Sequence, residues 1–406
     1  MAAAVVGVVL AGGGGFAALR LRAPLPAVVM SPVASAEVQL PGKPVALPWP
    51  THGQAAMVVE GVGTAGVHGQ SGPVPIGSVA KVMTALVILR DHPLAGNAPG
   101  PSLTVTPADE RAFAAALGTG DSMVPVVAGE RITERQALEA LMVPSADNVA
   151  DMLAQWDAGS VPAFVAKMDR QARAWGATHT HYADASGLSP QTTSTASDQV
   201  LVGERALRAP VLAAVMAEKT ATLPVAGVVS NYNSLLGSDG VIGIKTGSTR
   251  AAGGSLLFAA TRRVGARPVT VVGAVLGQAV GTAPLSALQV ALDGSRALVR
   301  AVTGSLRAQQ VVVPGAVVSA GVAPWGPRTT ARVSNAVTVL GFPGAVVQVT
   351  SLGCDVSVPA PAGEPCGGVA VTWGDRLSGR SSATVGATLD RGIPRPSWRQ
   401  RLLQGE

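Results

Sequence analysis

Aromatic residues make up only 3% of this 406-residue chain and charged residues only 13%. No run of Lys or Arg is interleaved with aromatics, so a net charge of +6 does not make a nucleic-acid surface. Arg far outnumbers Lys and is scattered. That mild positive balance suits an anionic surface such as membrane or cell wall. Cysteine is rarer still. Cys354 and Cys366 stand alone near the C-terminus, with no C-x-x-C and no Cys/His cluster. That pattern excludes a zinc-type site, and neither metal nor cofactor is expected. A disulfide closing the short loop between them fits an oxidising, exported location. Glutamate is missing altogether between Ala140 and Gly203.

What is abundant is Ala, Val and Gly. Hydrophobic residues reach 48%, enough for a sizeable core, and the length calls for two folded units plus a tail. Ala2 to Leu19 is an unbroken apolar run, read together with residues up to 22 as an export signal or a membrane anchor. The usual basic residues before such a run are absent, and Arg20 and Arg22 follow it. Cleaved signal and retained anchor both remain open, and either places the protein outside the cytoplasm. Residues 23–52 are Pro-rich without helical period and read as an extended tether.

From 53 to 302 the pattern is a strand (54–60), many helices, then antiparallel strands and a last helix. Gly61–Gly72 reads as a turn and Ser122–Val127 as a short strand. Thr133-Glu134-Arg135-Gln136 matches a capping box for a helix that stops at Pro144. Helices follow from Asp147, over 162–175 and from Thr195. Ala221–Val229 reads as one strand. Gly240–Gly247, Gly254–Thr261 and Pro268–Leu276 form a meander, and Pro284–Val302 a long helix. The order predicts an α/β sandwich of helices on an antiparallel sheet, with a helical lobe inserted. Residues 310–396 alternate Val-rich segments with Gly/Pro turns and read as a small β domain stapled by Cys354 and Cys366. Residues 397–406 are a tail.

Ile76 to Leu89 stands out as a buried helix. Ser78 and Lys81, three apart, share one of its faces. A Lys at the edge of a core loses hydration, which favours its neutral form and lets it act as a base toward Ser78. Free N–H groups at the helix start face any developing oxyanion. Farther on, Ser145-Ala146-Asp147 opens a helix, and Lys245-Thr246-Gly247 ends a strand, where a cation and a hydroxyl can hold a carboxylate. Gly247 would let a substrate backbone approach closely. His179 and His181 read as solvated loop histidines. Arg250 either helps hold a carboxylate or is an ordinary surface Arg.

S-x-x-K, S-x-D and K-T-G in this order resemble the signature of penicilloyl-serine enzymes. Pro75–Ala85, Leu141–Ala150 and Gly243–Gly247, with Asp184-Ala185-Ser186-Gly187-Leu188 and Thr193–Asp198, resemble the peptidase S11-like serine D-alanyl-D-alanine carboxypeptidases. These are the low-molecular-mass penicillin-binding proteins, and the actinobacterial members look most similar. The resemblance spans about 53–302 and is much weaker for the β tail. It implies a β-lactamase/transpeptidase-like fold and removal of the terminal D-Ala from peptidoglycan stem pentapeptides. β-Lactams would act as covalent inhibitors; apart from the resemblance, the N-terminal apolar run would hold the chain to the cytoplasmic membrane where it is retained as an anchor.

By the same resemblance Ser78 would be the nucleophile, Lys81 its base and Ser145 a proton relay. Lys245 and Thr246 would orient the terminal carboxylate, and the N–H groups of Ser78 and Ser248 would form the oxyanion hole. One position departs from the pattern: Asp147 stands where these enzymes usually carry Asn, and Asn148 follows. An anion near Lys81 would favour its charged form. Either Asn148 takes the role through a shifted helix start, or Asp147 does so with altered pH behaviour. Two other functions compete. A catalytically impaired envelope module would bind wall peptides without cutting. A β-lactamase would need a Glu-activated water, and the stretch without Glu instead predicts slow penicillin turnover.

Overall fold

The computed structural model describes residues 17–44, 46–375 and 377–403. The chain divides into two compact units. One comprises Pro44–Leu306 with Asp375–Gly379. The other comprises Met1–Lys43, Arg307–Gly374 and Arg380–Glu406.

The first unit is built on a five-stranded antiparallel sheet. Its order is Val241–Thr249, Gly253–Val264, Arg267–Gln278, Gln54–Val59 and Gly63–Gly69. Its inner strands are apolar along nearly their whole length because both faces are covered, so the usual in/out alternation vanishes. On one face the helix Ala196–Leu207 packs on Arg267–Gln278 and Gln54–Val59. Gly203 sits there against Leu257, Ile244 and Val272. The long helix Pro284–Ser305 packs on Gly253–Val264 so closely that a side chain at Gly254 would strike the Ala287 carbonyl.

The helix Lys81–Asp91 is buried from Lys81 to Ile88. Each of its large apolar side chains contributes roughly 1.5–3 kcal/mol on leaving water, so this helix anchors the lobe. Around it pack Glu134–Met142, Asp147–Ala158 and Val161–Trp175. Thr133 caps the first through the expected reciprocal bonds with Gln136, and Gly176 ends the third in the left-handed conformation.

The second unit carries an eight-stranded sheet. In order its strands are Cys354–Val356, Val28–Pro32, Val317–Val322, Arg328–Val333, Gly379–Leu389, Pro365–Asp375, Val346–Leu352 and Ala36–Gln39. A separate pair joins Arg307–Val312 to Val337–Gly341. Val28, Met30, Ala331, Val333, Val371 and Leu389 belong to its core. Cys354 and Cys366 form a disulfide.

Several expectations are corrected here. The stretch 23–52 is not simply a tether: Val28–Pro32 and Ala36–Gln39 are strands of the C-terminal sheet. Val28 and Met30 alternate inward, and Pro32 closes the first strand, where a missing N–H costs least. Gly63–Gly69 is an edge strand rather than a turn, tolerated by its partner Gln54–Val59 despite three glycines. Ser122–Val127 is irregular, because its backbone pairs with side chains of a helix start. Ala221–Val229 is broken at Pro224 into a hairpin of Thr220–Leu223 and Gly227–Ser230. The tail contains a short helix, Trp398–Leu403. Most of the apolar run at the N-terminus lies outside the described residues. Among those described, residues 17–22 are helical, and no helix is long and apolar enough to cross a membrane.

Candidate active site

Ser78 lies in a 3-10 turn, Gly77–Ala80, that runs straight into the helix Lys81–Asp91. Positions three apart eclipse in such a turn, which brings the Lys81 ammonium over the Ser78 hydroxyl. The turn is squeezed between two segments, and glycine makes room on both sides. Gly187 has φ of +88°, and a Cβ there would fall 1.9 Å from the Gly77 carbonyl oxygen. A Cβ on Gly247 would lie 2.6 Å from Ile76 O, 3.0 Å from Val79 N and 3.1 Å from Ser78 N. This adds a structural reason for Gly247. Its missing side chain admits the serine turn against the strand Val241–Thr249. The same contact brings the backbone N–H of Ser248 close to that of Ser78, since a Cβ on Gly77 would stand 3.3 Å from Ser248 N.

Lys81 is fully buried. Its Nζ lies 2.8 Å from Ser78 Oγ and 2.9 Å from the carbonyl oxygen of Ser186, and it forms an ion pair with Asp147 Oδ1. The Ser186 carbonyl is held by Asp184. One carboxylate oxygen of Asp184 accepts from Ser186 Oγ at 2.8 Å, Gly187 N at 2.9 Å and Ser189 N at 3.2 Å, and the other accepts from Thr192 Oγ1. Thr84, one turn beyond Lys81, donates to the Ala185 carbonyl at 2.6 Å and ties the same loop to the helix.

Asp147 and Asn148 divide their work. Asp147 faces Lys81 with one oxygen, while the other accepts from Ser122 N at 3.1 Å. Asn148 turns away: it accepts from Val124 N at 3.2 Å and donates to Val124 O at 2.9 Å, completing that backbone as a strand neighbour would. Of the two accounts of this motif, only Asp147 reaches Lys81. Burial pushes the Asp147 carboxyl up from its ordinary range, and the Lys81 charge pulls it back. Ser145 is buried with φ of +65°, a left-handed conformation that costs a non-glycine residue of order 1 kcal/mol. It lines the same cavity as Ser78.

Lys245 is also buried, and its Nζ donates to its neighbour's carbonyl, Thr246 O, at 3.1 Å, with Thr246 Oγ1 at 3.5 Å. Burial holds it well below the ordinary lysine range, and the nearby Lys81 charge lowers it further. Thr246, Ser248 and Arg250 line the cavity, which has a volume of about 750 Å³. His179 and His181 are not part of it. The His181 ring pairs with Asp169 at 3.1 Å on an exposed loop.

Ser122, which clamps Asp147, and the Ser186 carbonyl, which accepts a hydrogen bond from Lys81, were not foreseen. Ser122 carries no signal in its spacing. The stretch Asp184–Leu188 did carry one, but it reaches Lys81 through a main-chain carbonyl.

Residues 64–278 match the peptidase S11 family, described as D-alanyl-D-alanine carboxypeptidase. The chain belongs to that family. Among curated relatives, D-alanyl-D-alanine carboxypeptidase DacB2 of Mycobacterium tuberculosis is 34% identical over 195 residues, which are 46% of this chain and 62% of that protein. The D-alanyl-D-alanine carboxypeptidase of Streptomyces sp. strain K15 is 30% identical over 218 residues, 49% of this chain and 71% of that one. The chain therefore spans between about three fifths and seven tenths of these two relatives. The crystal structure of the Streptomyces K15 DD-transpeptidase superposes with a TM-score of 0.51 at 26% identity, covering 65% of this chain and 98% of that one. Penicillin-binding protein 5 from Haemophilus influenzae shares the fold, with a TM-score of 0.58 at 18% identity over 87% of this chain and 99% of that one. The S11 chain thus has the β-lactamase/transpeptidase sandwich.

Proposed function

We propose that the stretch 53–302 is a serine D-alanyl-D-alanine carboxypeptidase that removes the terminal D-Ala from peptidoglycan stem pentapeptides and is acylated by penicillin. The observation that carries this is the environment of Lys81. A neutral amine has two N–H donors and one lone pair. The Ser186 carbonyl and an ionised Asp147 can only accept, so they take both N–H groups. The lone pair is left for Ser78 Oγ at 2.8 Å, which then donates to it. Two fixed acceptors thereby aim a base at a nucleophile.

In the reaction, Ser78 Oγ attacks the carbonyl carbon between the two D-alanines as its proton passes to Lys81. The oxyanion is met by the N–H groups of Ser78 and Ser248. Lys81 returns the proton, through Ser145, to the leaving amine, and the acyl-serine forms. Water then releases the shortened peptide with Lys81 again as base. Thr246, Ser248 and Arg250 receive the substrate carboxylate. Lys245 stands behind them, and an arriving anion would draw a proton onto it.

We place the protein outside the cytoplasm, held or directed there by its N-terminal apolar segment. A fluorescent penicillin should label Ser78 covalently, and Ser78→Ala should abolish the label. Mass spectrometry of a pentapeptide digest should show loss of one alanine. Folded protein that neither takes the label nor shortens the peptide would instead be a wall-peptide binding module.

A further inference from the structure

The sheet of the second unit bears a furrow on its outer face, with a volume of about 540 Å³. Strand register builds it. Ser31 pairs with Ala320 and Ala320 with Thr330, while Asp390 N donates to Thr330 O. Paired residues point to the same face, so three small side chains form a row across Val28–Pro32, Val317–Val322 and Arg328–Val333. In the next row Val322 pairs with Arg328, and Val29, two residues before Ser31, shares that face. These larger side chains make a lip beside the small ones.

Three arginines against one aspartate leave the furrow a surplus of two positive charges. Arg332 is already engaged: its Nε lies 3.3 Å from Asp390 Oδ2, and its Nη1 donates to Gly315 O at 2.8 Å. Among the described residues, the guanidinium groups of Arg328 and Arg391 have neither a carboxylate nor a carbonyl partner, and the hydroxyls of Ser31 and Thr330 make no hydrogen bond. The backbone of Arg391 is nonetheless fixed. Thr329 Oγ1 donates to its carbonyl at 2.6 Å and accepts from its N–H at 3.4 Å. Thr329 adjoins Arg328, so both unpaired cations belong to one end of the furrow.

A carboxylate is planar and fills one guanidinium fork. A phosphate is tetrahedral, and its oxygens can meet two forks and a hydroxyl together. The furrow also exceeds what a phosphate alone needs, since cavities of roughly 300–1,000 Å³ take whole drug-sized ligands. Beside the cations, Val29 is 65% exposed and Val322 56%. Two valines are too little apolar surface to enter a bilayer, which takes a whole apolar helix face. They suit the carbon skeleton of a polyol.

We infer that this furrow binds the phosphodiester groups of a soluble polyol-phosphate chain, with Arg328 and Arg391 as the residues that hold phosphate. The furrow lies wholly within the second unit, and binding there requires no peptidase activity.

The test is fluorescence anisotropy of the full chain with a labelled, lipid-free poly(glycerol phosphate). The wild type should bind it more tightly than polyglutamate of equal length. Arg328→Ser/Arg391→Ser should weaken binding about tenfold, the sum of two exposed ion pairs. Arg395→Ser/Arg399→Ser removes the same charge outside the furrow and should leave the affinity near that of the wild type. Asp390→Asn removes the furrow's own anion and releases Arg332, so it should tighten binding about threefold, a gain that a damaged fold cannot mimic. Equal affinity for polyglutamate, or equal losses in the two double variants, would mean that net charge alone is at work and overturns the site. An Asp390→Asn chain that binds no more tightly than the wild type overturns it too. Binding to phosphatidylglycerol vesicles without binding to the polymer would make the partner a membrane, against the inference.

Discussion

Two lysines are buried in this site, and their surroundings differ. Lys81 has three polar partners, one of them a carboxylate. Lys245 has a neighbouring carbonyl and a hydroxyl at the limit of hydrogen-bond reach. Burial penalises the charged form of Lys245. At Lys81 the carboxylate of Asp147 stands within ion-pair reach, and the proposed reaction has a proton taken and given back there within one turnover. At Lys245 nothing internal counters the burial fully, and the group is held well below the ordinary lysine range until an anion arrives. In the proposed mechanism the difference separates a base, which has an anion beside it from within the fold, from a carboxylate receptor, whose anion comes with the ligand.

Removing Lys81 should have the largest effect. Lys81→Met takes away the base and should lower acylation by penicillin about 10²–10⁴-fold in stopped-flow measurements. It also strands a buried Asp147, so the denaturation midpoint should drop, and Lys81→Met/Asp147→Leu should recover much of that loss. Equal stability of the single and double variants would break the contrast.

Lys245→Met comes next. It should lower kcat/KM for carboxylate-ended peptides about tenfold to a hundredfold, the range of a charge-assisted hydrogen bond. Its stability signature is distinct. The folded chain holds Lys245 below its unfolded value, so the folded state binds fewer protons there than the unfolded one. That contribution is full above the unfolded lysine pKa and is lost as pH falls through the depressed folded one. Wild-type stability should therefore gain from rising pH in the alkaline range relative to Lys245→Met. Parallel profiles would show that Lys245 is charged in the free protein.

Asp147→Asn should have the smallest effect, and it tests the comparison most finely. Asn at 147 removes the carboxylate that stands within ion-pair reach of the amine. The acid limb of the acylation profile should move to lower pH. A limb displaced by one pH unit would raise the rate below neutrality about tenfold. An unmoved limb would mean that Asp147 positions Lys81 without coupling to its charge.

How much of this was legible in the sequence follows from distance along the chain. Ser78 and Lys81 are one turn apart, and Thr133 caps Gln136 within one turn, so local geometry sufficed for both. The meander from Val241 to Gln278 was readable because short connections force neighbouring strands to pair. Val28–Pro32 was not readable, since its partners are Cys354–Val356 and Val317–Val322, some 300 residues on. A strand of mixed composition becomes one only when an edge is offered to it. Nor could Asp147 and Asn148 be told apart, because adjacent residues on a helix point to different sides and only the packing of 122–124 shows which side holds the lysine.

By itself the sequence determined the chemistry on offer: a serine and a lysine in register, a hydroxyl beside a cation on a strand, and helices that fold on a sheet. Those follow from spacing and side-chain type, which a chain carries wherever it goes. Tertiary structure decided which groups meet: Asp147 rather than Asn148 at Lys81, the Ser186 carbonyl as the second acceptor, and Gly247 as the floor under the serine turn. The reason is physical. Hydrogen bonds and ion pairs act over a few ångströms, and only packing brings remote residues that close.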